Sequence, residues 1–324
     1  MQSVICSVII PLKKCNDFLD ENISALLKGT FKNFEIIVLP DNKEKKSFPK
    51  TRIVPTGNVR PAEKRDIGAR KAKGKILAFI DDDAYPSKDW LKKAITLFNT
   101  MHVAAVCGPG VTPPSDSIFQ RVSGVFSSTF IGGGPYTYRF IPQREREVDD
   151  YPSMNFLIRK SDFLRIGGFD TKFWPGEDTK LCFDLTQKYR KKIFYHPDVL
   201  VYHHRRAIFK PHLLQNGRYG LQRGYFAKTL PKTSLRISYF FPSFLLFGIL
   251  LLPFIYIVNR TLFSIDLFLF SFYMFFVVLT AAMILIREKN TGIAFLLIPT
   301  IFVTHLYYGI KFIEGFLFTT RMKS

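Results

Sequence analysis

Three consecutive carboxylates, Asp81-Asp82-Asp83, follow directly on the apolar run of residues 76–80. A short run of this kind forms a buried strand of a parallel sheet, and ligands of such sheets gather at the carboxyl ends of the strands. Three acids at one strand end repel one another unless a cation or a solvated turn relieves them. A hard divalent ion such as Mg²⁺ or Mn²⁺ takes oxygen ligands of this kind, often one or two carboxylates together with substrate phosphates. The same residues also fit a plain acidic loop before a helix capped by Ser87, and taken alone the two readings stand level. A second acidic pair, Glu177-Asp178, precedes the amphipathic stretch 181–189. At a helix start these acids would feel the positive end of the dipole, and capping is their plainer use. His203-His204 closes an apolar run, and a lone pair of histidines is more often structural than ligating.

Alternating strands and helices must position these groups. Residues 4–11 read as the first strand, and residues 16–28 carry apolar side chains at a helical period. Residues 34–39 form a second apolar run ending in the turn signature Pro40-Asp41-Asn42. Ile53-Val54 is a short strand, 61–73 a basic helix with Pro61 near its start, and 76–80 the strand before the aspartates. Helix 90–99, strand 103–107, strand 156–158, a short helix at 161–166 stopped by Gly167-Gly168, and strands at 193–195 and 199–202 continue the pattern. Such alternation implies an α/β fold with a mostly parallel sheet. Residues 127–143, with Gly132-Gly133-Gly134 at their centre, read as a loop, either over a site or on plain surface.

The apolar residues are unevenly spread, with nearly all long runs after Arg236. Stretches 237–258, 262–286 and 293–318 are each long enough to cross a bilayer, which takes about 20 residues. His305, Lys311 and Glu314 make the third the least secure crossing. The mixed aromatic and basic stretch 208–230 suits a helix at a membrane surface or one packed on a globular domain. The net charge of +20, from 46 basic and 26 acidic residues, admits nucleic acid, an anionic membrane or a polyanionic substrate. No nucleic-acid motif accompanies it, so nucleic acid is not expected. Lys228, Lys232 and Arg236 crowd the start of the first crossing, which by the positive-inside rule puts residues 1–236 in the cytoplasm of a cell with the rest in its inner membrane. Cys6, Cys15, Cys107 and Cys182 lack metal or C-x-x-C spacing, and Cys6 and Cys107, which sit in apolar runs, read as small buried hydrophobes in a reducing compartment. No signal peptide is expected at the N-terminus.

The order of these motifs resembles the family 2 glycosyltransferases, which join a GT-A (Rossmann-like) catalytic domain to C-terminal membrane helices. The resemblance covers most of residues 4–230. It divides the chain into a GT-A domain at 1–206, an amphipathic interface region at 207–236 and an α-helical transmembrane region of two to three helices at 237–324. Residues 7–11, ending at Pro11, match the family's opening strand at the nucleotide site. Residues 35–41 match the strand whose terminal acids hold the base; Pro40 replaces the first of them and leaves Asp41. Arg65-Asp66-Ile67-Gly68 is similar to the family's Arg-Asn-x-Gly helix, whose arginine contacts the nucleotide.

Asp81-Asp82-Asp83 takes the place of the D-x-D motif. The resemblance implies Asp83 and Asp81 as ligands of Mg²⁺ or Mn²⁺, Asp81 and Asp82 as donor contacts, and His203 as a third metal ligand or diphosphate contact. Gly176-Glu177-Asp178 matches the acceptor-side motif, which makes Asp178 the general base and Glu177 an acceptor contact or second candidate. Residues 215–219 are similar to the Q-x-x-R-W of processive synthases with Tyr219 in place of Trp, so Arg218 would touch the diphosphate. Tyr136, Tyr138 and Asn155 are further candidates to line the donor pocket. The expectation is an inverting transferase moving sugar from a nucleoside diphosphate to a hydroxyl of a lipid-linked or cell-surface glycan. A processive polysaccharide synthase, sugar transfer to polyprenyl phosphate and a membrane-anchored binding protein with an inactive GT-A domain are the alternatives. Oligomeric state is open.

Overall fold

The first apolar run is strand β1 (Cys6–Pro11), every residue of which is buried. Burial of Val8, Ile9 and Ile10 stabilises the fold by roughly 1.5–3 kcal/mol each. The structure, a computed structural model, describes residues 4–321. They divide into two units, one made of the residues up to Val111 together with Tyr138–His204, the other of Thr112–Thr137 and the chain from Arg205 onward.

In the first unit β1 is followed by α1 (Asp17–Lys28), β2 (Phe34–Leu39), β3 (Thr51–Ile53), α2 (Pro61–Lys71), β4 (Ile76–Ile80), β5 (Ala84–Pro86), α3 (Trp90–Thr100), β6 (Ala105–Cys107) and β7 (Gly110–Val111). The chain then contributes α4 (Ile118–Ser128) and α5 (Phe130–Gly133) to the second unit. A 3₁₀ turn at Gly134–Arg139 leads back to β8 (Arg146–Val148), β9 (Asn155–Arg159), α6 (Lys160–Ile166), α7 (Glu177–Phe183), β10 (Ile193–Tyr195) and β11 (Val201–His203). The main sheet has the order β3-β2-β1-β4-β9-β6-β10-β8, and β5-β11-β7 form a small second sheet.

β1 pairs in parallel with β2 and β4, β2 with β3, and β6 with β10. Strand β9 runs antiparallel to β4 and β6. The chain winds from β1 outward through β2 to β3, then returns to lay β4 on the other side of β1. That reversal opens a crevice beyond the carboxyl ends of β1 and β4, the place where ligands of such sheets bind. Helix α2 can lie close over this edge because Gly68 lacks a side chain; a Cβ there would stand 2.7 Å from Cγ2 of Ile9.

The second unit continues with α8 (Lys210–Thr229), α9 (Pro231–Ser234), α10 (Ile237–Val258), α11 (Arg260–Glu288) and α12 (Thr291–Ile313). Three of these, α10, α11 and α12 with its following turn, are long and apolar enough to cross a membrane. Its core joins Val122, Val125 and Phe126 of α4 to Tyr273, Val277 and Ile284 of α11 and to Ile293, Leu297 and Ile301 of α12.

Two segments differ from the sequence expectation. Residues 127–143 are the end of α4, the short helix α5 and a 3₁₀ turn rather than an open loop. Helix α8 does not present a plain surface-helix pattern: Gly217, Gly220 and Gly224 bring its backbone against α12, where a Cβ at Gly224 would meet the Phe312 carbonyl at 2.1 Å.

Candidate active site

Strand β4 ends at Ile80, and the three aspartates form the turn into β5. Helix α1 holds that turn. The Asn16 Oδ1 caps α1 by accepting from the Leu19 amide at 2.9 Å, while its Nδ2 donates to Asp82 Oδ2 at 2.7 Å. Two turns on, the fully buried Asn22 donates from Nδ2 to the Asp81 carbonyl at 3.1 Å. Burial, reinforced by the charges of Asp83 and Asp81 and opposed by the Asn16 bond, pushes Asp82 up to about 6. Asp82 thus faces α1.

Strand β11 supplies the histidine. Its antiparallel pairing with β5 sets His203 opposite Ala84, and His203 Nε2 lies 3.2 Å from Asp83 Oδ1. The next amide, of His204, donates to the Asp83 carbonyl at 2.9 Å. One ligand atom from each of Asp81, Asp83 and His203 lies within 4.8 Å of the others. Two carboxylates and an imidazole suit a divalent ion of the Mn²⁺ type, with coordination positions left for substrate oxygens.

Across the crevice the acids of α7 approach the same cluster through Arg65 of α2. The Arg65 guanidinium is buried, donates from Nη2 to Asp81 Oδ1 at 2.6 Å, and lies with Nη1 3.6 Å from Glu177 Oε1. It also covers the Phe169 ring, 5.8 Å from its centre. Arg65 Nε and Glu177 Oε2 are buried atoms with no hydrogen-bond partner. Burial, and next the charge of Asp178, push Glu177 well above the ordinary carboxylate range; Arg65 opposes the shift. Asp178 is the less buried of the two, and its Oδ1 accepts from the Thr179 amide at 2.7 Å in the first turn of α7. Two adjacent carboxyls in unequal surroundings are the arrangement that separates acid from base roles.

The other expected residues are spread more widely. Pro11 ends β1 beside Leu39. Asp41 pairs with Lys64 of α2, whose ammonium also donates to the carbonyls of Leu12 at 2.6 Å and Leu39 at 3.3 Å. Asn155 is fully buried: its Nδ2 donates to the carbonyls of Gly108 and Val199 at 2.6 and 2.7 Å, and its Oδ1 accepts from Trp90 Nε1 at 2.8 Å. It therefore braces the sheet beneath the crevice and has no surface for a donor. Tyr138 packs among Tyr151 and Tyr195 in the first unit. Tyr136 belongs to the second unit, stacked on Tyr239 and accepting from Arg236 at 3.0 Å. Arg218 stands on the exposed face of α8 in that second unit. Sequence reasoning missed Asn16, Asn22 and Lys64. Asn16 stands just before the apolar period of α1, where a helix cap falls, but nothing in the sequence signals its second bond.

A mostly parallel α/β unit with an acidic strand end and a second acid pair on a helix start is a GT-A fold. Residues 7–167, about half of the chain, match the family model described as glycosyl transferase family 2, and the chain belongs to that family. A pre-mycofactocin glycosyltransferase of Mycobacterium tuberculosis is 28% identical over 162 residues, covering 49% of this chain but 33% of the relative. This chain thus spans about a third of that relative's length. A dolichyl N-acetyl-alpha-D-glucosaminyl phosphate 3-beta-D-2,3-diacetamido-2,3-dideoxy-beta-D-glucuronosyltransferase of Methanococcus voltae is 24% identical, covering 78% of this chain and 84% of the relative. Among solved structures, the mannosyltransferase PcManGT from Pyrobaculum calidifontis, in complex with GDP-Man and Mn²⁺, shares the fold with a TM-score of 0.54 at 14% identity, over 96% of this chain and 87% of that one.

Proposed function

We propose that this protein is an inverting, metal-dependent glycosyltransferase that moves a sugar from a nucleoside diphosphate onto a hydroxyl of a lipid-linked or cell-surface glycan at a membrane. One observation carries the reading: a single buried guanidinium, that of Arg65, reaches both Asp81 of the strand-end cluster and Glu177 of the acid pair. That link supports placing the two halves of a displacement reaction in one crevice. Asp81, Asp83 and His203 would hold Mg²⁺ or Mn²⁺, and such an ion, when bound, offsets the charge gathering on the departing diphosphate. Asp41 and Pro11 flank the end of β1 where the nucleoside would lie, and Arg65 adds a fixed positive charge beside the diphosphate.

Asp178 takes the proton of the acceptor hydroxyl as its oxygen bonds to the anomeric carbon and the bond from that carbon to the phosphate oxygen breaks. Glu177, held toward its neutral form, orients the acceptor by hydrogen bonding. Single displacement inverts the anomeric centre. Support for a lipid-linked acceptor comes from the Methanococcus voltae relative, whose name gives a dolichyl N-acetyl-alpha-D-glucosaminyl phosphate, and from the apolar helices of the second unit. A hydroxyl acceptor follows from the base, since a polyprenyl phosphate oxygen is already anionic. Lys228, Lys232 and Arg236 before α10 favour the cytoplasmic side for the catalytic unit.

The decisive experiment is Asp178→Asn. Sugar transfer is expected to fall by about 10²–10⁴-fold, while donor binding, read by calorimetry with Mn²⁺, stays within a few-fold. Full transfer by Asp178→Asn removes the base from this scheme.

A further inference from the structure

Length and composition mark three helices of the second unit as able to cross a bilayer, but α12, besides meeting the other two, also packs against α4 and α8. Helices α10 and α11 form an antiparallel hairpin. Phe241 meets Tyr273 at a ring separation of 6.2 Å, Gly248 faces Asp266, and Tyr256 meets Phe263 at 5.0 Å near the connecting turn. The outer faces of this hairpin are open and apolar, with Phe247, Leu250 and Phe254 on α10 and Phe268, Leu269 and Phe272 on α11.

One face of α12 is flanked along its length by helices that carry charge. Along its first half lies α4: Ile118 approaches Gly292, Arg121 pairs with Glu288 at 3.1 Å, and Phe126 lies against His305. Along its second half lies α8. His212 Nε2 is 3.0 Å from Thr304 Oγ1, Gly217 and Gly220 abut Tyr307 and Tyr308, and Gly315 of the terminal turn abuts Leu221. Helix α8 bears Lys210, Gln215, Arg218, Gln222, Arg223 and Lys228, too polar a surface for hydrocarbon. The part of α12 that lies beside it is therefore held out of the bilayer core. What remains before Thr304 is at most about 21 Å long at about 1.5 Å per residue, short of a core roughly 30 Å thick. Pro242 and Phe240, at the start of α10, meet Gly309 and Phe312, so the second half of α12 lies level with the place where α10 begins.

We propose that the chain crosses the bilayer twice, by the α10–α11 hairpin alone, and that α12 stays on the side of α8. Its apolar character then serves a helix enclosed on several sides by protein, which is the other setting in which such helices occur. The occupant of the hairpin's outer face is lipid hydrocarbon. The scheme puts Arg321 on the same side as Lys228, Lys232 and Arg236, in keeping with the bias of basic residues to one side of a membrane. Three crossings would separate them.

The test uses the full chain in vesicles of both orientations and a charged maleimide that does not cross membranes. Cys6, Cys107 and Cys182 are buried, so Cys15→Ser removes the background. Lys45→Cys, Asn259→Cys and Thr320→Cys are labelled one at a time, with a detergent-solubilised sample as the measure of full reactivity. Lys45→Cys and Thr320→Cys are expected to label in one orientation and Asn259→Cys in the other, by at least about tenfold. Labelling of Thr320→Cys together with Asn259→Cys would mean three crossings and overturn the proposal, as would labelling of all three from one side. An epitope placed after residue 324 and read by antibody on the same vesicles gives a second readout free of cysteine replacement. Access from the Lys45 side supports two crossings, and access from the Asn259 side refutes them.

Discussion

Arg65 shows how a side chain legible in the sequence acquires a role that was not. Its place before Gly68 pointed to a nucleotide contact, whereas the structure also ties it to Glu177 through space. Its neighbour Asp66 carries a sharper consequence. Asp66 Oδ1 accepts from the Phe169 amide at 3.0 Å, and burial, against that bond and the charges of Arg70 and Arg65, pushes the carboxyl up to about 6. The folded state thus holds this proton more tightly than the unfolded chain does. Its contribution to stability is fully present below the ordinary aspartate value and is lost as pH rises through about 6. Asp66→Asn keeps the acceptor and never ionises. Its melting temperature at pH 8 should exceed the parent's by a few degrees, on the order of 1 kcal/mol or less, and the gain should shrink as pH falls from 7 to 5. An unchanged difference across that range would remove Asp66 as its source.

Among the elements, α1 braces the aspartate turn through Asn16 and Asn22. Groups behind metal ligands typically affect metal affinity by about 10–100-fold, and Asn16 and Asn22 stand behind this cluster. Asn16→Ser keeps an oxygen at the helix cap but cannot reach Asp82 as Asn16 does. It should weaken Mn²⁺ binding by about tenfold with little loss of helix stability, whereas Asn16→Ala should lose both. Calorimetric Mn²⁺ titration beside thermal melting separates the two effects. At the α8–α12 contact, Gly224→Ala should cost about 1–3 kcal/mol, because the Phe312 carbonyl occupies the space the methyl needs. A variant as stable as the parent in a detergent melt would argue against this close approach. The strands were readable because their apolar runs have no other use, and β1, β2 and β4 fall where the pattern puts them. Helix α4 was missed, although Ser117 and Gln120 form a capping box and Val122, Val125 and Phe126 share a helical face. The pairing that delivers His203 sets β11, read from the sequence as a strand at 199–202, against β5, whose three residues are too short for periodicity to register.

At the scale of the whole molecule, the division into units does not follow the order of the chain. The drop in polarity after Arg236 is visible in the sequence, but residues 112–137 leave the catalytic unit and share a core with helices more than a hundred residues further on. No local signal could show this, because the partners of Val122, Val125 and Phe126 are distant in sequence. A fragment ending at residue 206 would expose all three at once. Its expression should give aggregated protein, and Val122→Ser, Val125→Lys and Phe126→Gln together should raise the soluble monomer several-fold by size exclusion. If the unmodified fragment is monomeric and melts cooperatively, α4 has no need of its partners.

The same excursion bears on how the protein matures in the cell. During synthesis α4 emerges between the two halves of the first unit, long before α11 and α12 exist to receive it. Newly made chains therefore carry Val122, Val125 and Phe126 without their partners until α11 and α12 have been made. A chain cut short before α11 leaves these three apolar side chains uncovered, a surface of the kind that drives aggregation.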